Sequence, residues 1–488
     1  MNNKLKFLFS IILTFLMVTF SYAAEWQIVG PRALGMGGAY VAVVNDSTAA
    51  YWNPAAFGFY SKKDIKRYEK KKFGLGIGVG AGYSVHNDLG DKIDDILDYD
   101  YDKVSNDISN GVLSAENLHD YIQIINNVNK ITDKDAVVFK ANGFLASRIK
   151  HFGIGIFALG NIAAVPIIDL KNIAVDSNDN NIIDSLANIS GDNNYDVLSS
   201  SQANDLIAKI SSLTGWDSTK AQSYVQALDD ALRDNNITPT QEEIDAAYKV
   251  AEIAAEAQTG GSFDNNTSKI QFEGLIYYEI PISYGYAINN KLAIGGNVKF
   301  MKGRYYQTYV SLYDDDNDND LFEKADEDYT ESNAFGLDLG IMFKPNNLIT
   351  LGIVGKNLNT PKFDKPNGGD YDLDPSARAG VAITPFSWLT LAADIDLTEN
   401  DTNIRDYKSR NLGLGAEISI FKFLDLRAGM YKNLAESDIG NVYTAGLGIN
   451  LYLFRLDAGI SFSQDTATVD GNDYPEEVKA EVALTIDF

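Results

Sequence analysis

Residues 478–488 alternate without a break: Val478, Ala480, Val482, Leu484, Ile486 and Phe488 are apolar, and Lys479, Glu481, Ala483, Thr485 and Asp487 are small or polar. Successive side chains of a strand point to opposite faces, so this segment has one oily face and one wetted, charged face. A soluble sandwich strand reads the same way. Repetition separates the two, because alternating segments of roughly ten residues divided by turns are the mark of a transmembrane β-barrel. Such segments cover 73–83, 137–148, 152–163, 271–287, 291–312, 332–343, 348–357, 376–384, 388–397, 409–419, 423–431, 441–451, 453–463 and 478–488. The expected class is therefore an all-β transmembrane barrel of about 14 antiparallel strands, an even number as single-chain bacterial barrels have. Short turns (Asn289-Asn290, 344–347, Pro385-Phe386, Phe421-Lys422) alternate with long polar connections, which assigns the former to the periplasmic side and the latter to the outside.

Asp and Glu total 67 against 41 Lys and Arg, a formal net charge of −26, which excludes the basic footprint of a nucleic-acid binder. Tyr (27) and Phe (24) are numerous enough to furnish aromatic girdles at both bilayer interfaces. With no cysteine, the chain has neither disulfides nor thiolate metal ligands. Residues 1–24 read as a secretory signal: Lys4 and Lys6, an apolar run 7–20, then small residues, with cleavage after Ala23. The run is short of the ~20 residues that a spanning helix needs. Export without a second anchor points to the outer membrane of a Gram-negative bacterium, in contact with lipid and lipopolysaccharide.

Two stretches inside the barrel domain (73–488) do not alternate. Residues 85–135 carry Ile93, Ile96 and Leu97, then Leu118, Ile122, Ile125 and Val128, at helical spacing; 164–269 is likewise helical and acidic. Thr240-Gln-Glu-Glu243 is a capping box opening a helix over 242–258. Both are expected to be extracellular insertions that pack on each other over the barrel mouth.

The face assigned to the lumen carries Lys299, Asp338, Arg378, Asp394, Asp396, Glu417, Asp425, Arg427, Arg455, Asp457 and Glu481. A Lys or Arg facing lipid at midplane costs ~2–4 kcal/mol, so these charges fix the phase of the strands. Interior ion pairing is the expected role, ahead of an ion-selectivity filter. Residues 62–72 are a basic run, read as solvated on the periplasmic side. Asp316, Asp318, Asp320 and Glu327 have the first, third, fifth and twelfth positions of a calcium loop, but Leu321 stands where the turn needs glycine. A solvated acidic loop is the preferred reading there, and residues 176–184 form a weaker version. Of His86, His119 and His151, only His86, near Asp88, sits where rim chemistry could occur; no nucleophile accompanies it, and no enzyme is expected.

Gly30-Pro31-Arg32-Ala33-Leu34-Gly35-Met36-Gly37-Gly38-Ala39, followed by Asn45-Asp46 and Tyr51-Trp52-Asn53-Pro54-Ala55, has no Gly-Lys-Ser/Thr and is no phosphate loop. It resembles the amino-terminal hatch of the FadL/OmpP1 superfamily of outer-membrane transporters, including its conjugal-transfer TraF-like branch. Ala56 departs from that pattern, where the family often has glycine. The resemblance implies that residues 25–72 form a hatch inside the barrel. Gly30, Pro31, Arg32, Gly35, Gly37, Gly38, Tyr51, Trp52, Asn53 and Pro54 would then plug the lumen or border a ligand pathway. It implies passive uptake of a hydrophobic small molecule, fatty-acid-like or hydrocarbon-like, with no cofactor. A kink in the third strand would provide a lateral path, for which Gly160-Asn161 is the candidate here. The terminal Phe488 is the usual address for the barrel-assembly machinery. The competing expectation is an interaction barrel serving a conjugative transfer or secretion assembly, docking through its helical insertions.

Overall fold

The computed structural model describes residues 23–59, 73–99, 103–104, 115–173, 194–257, 265–311, 328–421, 423–451, 453–469 and 471–487. The signal run, the basic run 62–72, the calcium-loop candidates Asp316, Asp318, Asp320 and Glu327, the stretch 176–184 and Phe488 lie outside them. Among the described residues no cluster of His, Asp or Glu is arranged to hold a metal.

Fourteen antiparallel strands close into one barrel. In chain order they are β1 (Phe73–His86), β2 (Ala136–Ile149), β3 (Phe152–Ile167), β4 (Lys269–Ala287), β5 (Leu292–Ser311), β6 (Tyr329–Phe343) and β7 (Ile349–Lys356). There follow β8 (Ser376–Phe386), β9 (Leu389–Asp396), β10 (Asn411–Ile420), β11 (Leu424–Asn433), β12 (Val442–Leu451), β13 (Phe454–Ser463) and β14 (Glu477–Asp487). Each pairs with its sequence neighbour, and β14 pairs with β1 to close the ring; the shortest ladder is β6–β7, which runs only from Leu339↔Gly355 to Phe343↔Leu351. The phase is the one the charges dictate. Ile77, Val79, Val482 and their counterparts face outward, whereas Lys479 and Glu481 are buried in the lumen. One turn differs from expectation: Pro385-Phe386 belongs to β8, whose pairing with β9 slips between Ile383 and Phe386, so the turn falls at Ser387-Trp388.

The wall is uneven. At ~3.4 Å per residue, the 20 residues of β5 reach ~65 Å and the 8 of β7 only ~27 Å. At a tilt of ~40° the longer strand crosses an apolar band about 25 Å tall with room to spare, whereas the shorter rises only ~20 Å and falls short of it. The third strand keeps its register throughout, but its ladder with β4 lacks the pairs of Gly155 and Ile156, opposite Pro281 and Ile280. Gly160 pairs with Ala141 and Ile276, Asn161 pairs with Lys140 and Leu275, and β3 runs on to Ile167. The kink candidate Gly160-Asn161 is thus paired with both neighbouring strands.

The two insertions are helical and share one apolar core. In the first, α3 spans Leu89–Leu97 and α4 Ala115–Lys130; in the second, α5 spans Ser200–Thr214, α6 Ser218–Asp234 and α7 Gln241–Ala257. Leu118, Ile122 and Ile125 of α4 are buried with Tyr224 and Leu228 of α6 and Ala247 and Ala251 of α7. The capping box forms as its spacing requires: Thr240 Oγ1 accepts from Glu243 N at 3.2 Å and Glu243 Oε2 accepts from Thr240 N at 2.8 Å. One buried charge organises the second insertion. The carboxylate of Asp229, fully buried, accepts the backbone N–H groups of Asp196 (2.7 Å), Val197 (3.1 Å) and Leu198 (2.6 Å). Its removal would orphan three donors, of which the one on Leu198 is buried and costs about 1–3 kcal/mol. Asp229→Ala is expected to loosen this insertion and leave the barrel intact. Hydrogen exchange should show lost protection over α5–α7 and unchanged protection in β1–β14.

Candidate functional site

Residues 25–59 lie inside the barrel and traverse it from the long-loop end to the short-turn end. At the upper level Glu25 pairs with Lys140 at 2.8 Å and accepts from Asn161 Nδ2 at 2.9 Å, and Lys479 donates to the Ile28 carbonyl. At the lower level Arg148 donates to Asn45 O at 3.1 Å, and the 3₁₀ turn Pro54–Phe59 rests on β4 and β5.

Small residues make this fit possible. The five-residue helix α1 (Pro31–Gly35) opens on proline, whose fixed φ and missing N–H suit the first helical position. A Cβ on Gly35 would lie 2.8 Å from Gly446 Cα of β12, so backbone meets backbone there. Gly37 has φ +62°, and a Cβ on it would collide with the carbonyl oxygens of Met430 and Leu414. Its N–H donates to Thr444 Oγ1 at 3.1 Å.

Charge holds the same segment. Arg32 grips Glu417 in a fork, Nε to Oε2 and Nη2 to Oε1, both 2.8 Å, while Nη1 donates to Asn45 Oδ1 at 2.9 Å and to the Tyr40 hydroxyl at 3.2 Å. Glu417 also accepts from Arg427 Nε at 2.7 Å; Arg427 reaches Asp457 at 2.9 Å, and Arg455 bridges Asp457 (2.9 Å) and Asp425 (3.1 Å). The lumen carboxylate Asp394 accepts the backbone N–H groups of Tyr40 (2.8 Å) and Val41 (2.7 Å). The lumen charges read from the sequence are thus interior ion pairs, except Asp394, which is held by the backbone of this segment.

The aromatic motif forms the segment's own core. α2 (Ala49–Trp52) places Trp52 against Trp26, Tyr40 and Tyr51, with Trp52 Nε1 donating to Val29 O at 2.9 Å and the Tyr51 hydroxyl to Gln27 O at 2.8 Å. Tyr51 also stacks on Phe157 of β3. Asn53 ties the segment to the wall: Nδ2 donates to Val41 O and Ile341 O, both 3.3 Å, and Oδ1 accepts from Ala55 N at 3.1 Å. Gly30, Pro31, Arg32, Gly35, Gly37, Gly38, Tyr51, Trp52, Asn53 and Pro54 are therefore brought together in one lumen. Gly160 and Asn161 meet them through Gln27 and Glu25.

Above the segment is a cavity of about 70 Å³, room for a few waters, bordered by Glu25, Lys140, Asn161, Tyr407, Tyr431 and Glu477. Its lining is mixed: Trp26, Ile28, Val138, Ile404, Ile439 and Val442 stand among these polar groups. One edge is a clasp the sequence did not disclose. His86 Nδ1 meets Asp438 Oδ2 at 2.9 Å, not Asp88, and Nε2 meets Ser84 Oγ at 2.8 Å. Tyr407 donates to Asp438 Oδ1 at 2.6 Å. Burial works against charge on Asp438, but the bonds from His86 and Tyr407 outweigh it and hold the carboxyl below its ordinary range. The order Ser84–His86–Asp438 is that of a hydrolytic triad, yet Ser84 is 0 % exposed, so a carbonyl substrate has no approach to its oxygen. The three groups fasten loop 434–441 to β1.

The neighbouring turn carries a titratable strain. Burial, with repulsion from Asp465, Asp88, Asp438 and Asp91, pushes the Glu476 carboxyl up to about 7. A carboxyl raised on folding stabilises the fold in its protonated form. That contribution is complete below the ordinary value of 4.5 and is lost as pH rises through about 7. Glu476→Gln should therefore melt higher than the parent at pH 8, with the difference closing by pH 4.5; thermal melts across that range test it.

A family model described as F plasmid transfer operon, TraF, protein matches residues 50–396. No curated protein matches the chain. Solved structures similar to it include the Pseudomonas putida toluene transporter TodX, 10% identical, with 96% of this chain and 99% of that one aligned and a TM-score of 0.45. The Ralstonia pickettii toluene transporter TbuX is 11% identical over 96% and 100% of the two chains, TM-score 0.47. A Pseudomonas aeruginosa FadL homologue is 11% identical over 96% and 99%, TM-score 0.42.

Proposed function

The chain belongs to the F plasmid transfer operon TraF family, and from that premise we propose that it is an outer-membrane channel closed by its own amino-terminal segment, admitting a small hydrophobic molecule passively. The observation that carries this reading is the seating of residues 25–59 across the lumen, held by Arg32 on Glu417 and by Asp394 on two backbone N–H groups. A solute can pass only if that segment shifts. Its anchors are ion pairs, hydrogen bonds and an apolar contact with Phe144, Phe157 and Met342 of the wall, none of them part of a strand ladder, so a shift spares the barrel. In this reading the loops collect the ligand, the segment acts as a hatch, and no bond is made or broken. The cavity of about 70 Å³, lined by polar and apolar groups together, would be an antechamber too small to seat the ligand.

The test is uptake of a radiolabelled hexadecanoate and of toluene by cells with and without the protein. Faster uptake that disappears when Arg32 and Gly37 are altered supports the channel; equal uptake by both strains refutes it.

A second reading has one observation in its favour. The two insertions build a helical body with its own apolar core, more than two lid loops need, which suits a docking surface for a conjugative transfer or secretion assembly. Partners that copurify with the intact chain and are lost when 194–257 is replaced by a short linker would favour it.

A further inference from the structure

The lipid-facing side of the wall carries few charges, and three of them stand together on β5 and β6. Along β5, Lys299, Met301, Gly303 and Tyr305 are buried towards the lumen, which puts Lys302 and Arg304 on the outer face in line with the exposed Val298 and Phe300. On β6 the same alternation puts Glu331 on that face, in line with the exposed Phe335 and Leu337. In the ladder Arg304 stands opposite Glu331, and Lys302 opposite Asn333. Lys302 Nζ meets Glu331 Oε1 at 2.6 Å and Arg304 Nε meets Oε2 at 3.2 Å, so two cations share one carboxylate. The guanidinium also lies over the Tyr329 ring, 4.4 Å from its centroid, and Tyr329 packs against Tyr306 at 5.6 Å. Lys302, Arg304 and Glu331 keep 35%, 44% and 37% of their side-chain surface open.

Height decides what this group meets. At ~3.4 Å per residue and a tilt of ~40°, Lys302 and Arg304 lie ~26 and ~31 Å above Leu292, the first residue of β5 at the short-turn end. Ile294, Val298 and Phe300 fill the apolar band below them. The two cations therefore emerge among the head groups at the long-loop end, where an outward charge costs little. Tyr278 opposite Lys302, with Tyr306 and Tyr329, marks the same level, as aromatic rings do where hydrocarbon gives way to head groups. In a chain of net charge −26, this is a surplus of one positive charge on a face that only lipid can reach. An ammonium and a guanidinium carry more N–H donors than one carboxylate uses, and the rest suit the oxygens of a phosphate group.

We propose that Lys302 and Arg304 bind the phosphate of a phosphorylated glycolipid of the outer leaflet. Its acyl chains then run down the wall over Ile276, Phe300 and Phe335, all exposed on the outer face. The bound lipid fixes the β5–β6 hairpin at the membrane surface. This rests on the barrel's place in the outer membrane and is independent of what crosses the lumen.

The test is native mass spectrometry of the intact purified protein loaded with diphosphoryl lipid A, and with the same lipid stripped of its phosphates. One lipid A should stay bound to each chain, and the stripped lipid should be retained roughly tenfold less, as the loss of a charge-assisted hydrogen bond predicts. Lys302→Gln combined with Arg304→Gln should lose lipid A to the same extent while the barrel stays heat-modifiable on gels. Glu331→Gln should retain it more tightly, because the competing carboxylate is gone. Equal retention of the two lipids overturns phosphate recognition without needing a variant. The connection between β5 and β6 is rich in aspartate; if its carboxylates take the two cations instead, the double variant will hold lipid A as the parent does, which overturns the site. Release of the lipid by excess inorganic phosphate alone would reveal a general anion site and overturn its assignment to a lipid.

Discussion

Replacing Gly37 by valine will unseat the amino-terminal segment. The residue sits at φ +62°, where a β-branched side chain is strained, and its Cβ would press on the Met430 and Leu414 carbonyls. No flexible atom can give way, because both obstacles are backbone of the wall. Backbone strain of ~1–3 kcal/mol adds to the overlap, so the seated state loses at least ~3 kcal/mol, more than a hundredfold in population. The fourteen strands do not depend on that position and should still form. The expected phenotype is a folded barrel, heat-modifiable on gels, that lets large antibiotics into cells and makes residues 25–59 sensitive to protease. A Gly37→Val barrel as impermeable as the parent would mean that this contact does not decide closure.

Arg32→Met should act on the same equilibrium through charge. The substitution keeps much of the side-chain volume but removes the fork to Glu417 and the bonds to Tyr40 and Asn45. Breaking one partner out of a buried ion pair costs ~3–5 kcal/mol. Glu417 keeps Arg427 at 2.7 Å, so the lower half of that range applies. Roughly a hundredfold rise in the open population follows, visible as frequent openings in planar bilayers. Arg32→Lys should recover only part of the closure, since an ammonium cannot reproduce a two-bond fork.

Much of this was written in the chain as period and charge. Every strand of the barrel was legible from alternation alone, because a face in lipid and a face in water leave no freedom about which residues alternate. The lumen charges were legible for the same reason, and Thr240 with Glu243 announced its helix by spacing. Partners distant in sequence were not. Arg32 and Glu417 are separated by 385 positions and His86 and Asp438 by 352, and no local pattern links them. Asp88 was the nearer candidate for His86, but both Asn87 and Asp88 have positive φ, and the chain turns away from the ring there. The early stop of the β6–β7 ladder was not legible either, because Lys-Asn-Leu-Asn after Gly355 reads as the ordinary end of a strand and only the burial of Phe363 and Leu373 against Leu275 and Met301 shows where the chain goes.

Closure of the lumen by residues 25–59 is tested most directly by single-channel conductance of the purified full chain in a planar bilayer, compared with a chain in which 25–59 is replaced by a short Gly-Ser linker. A seated segment predicts a parent that is silent or opens rarely and briefly, and a deleted form with large, steady conductance. Equal, steady conductance from both would contradict it.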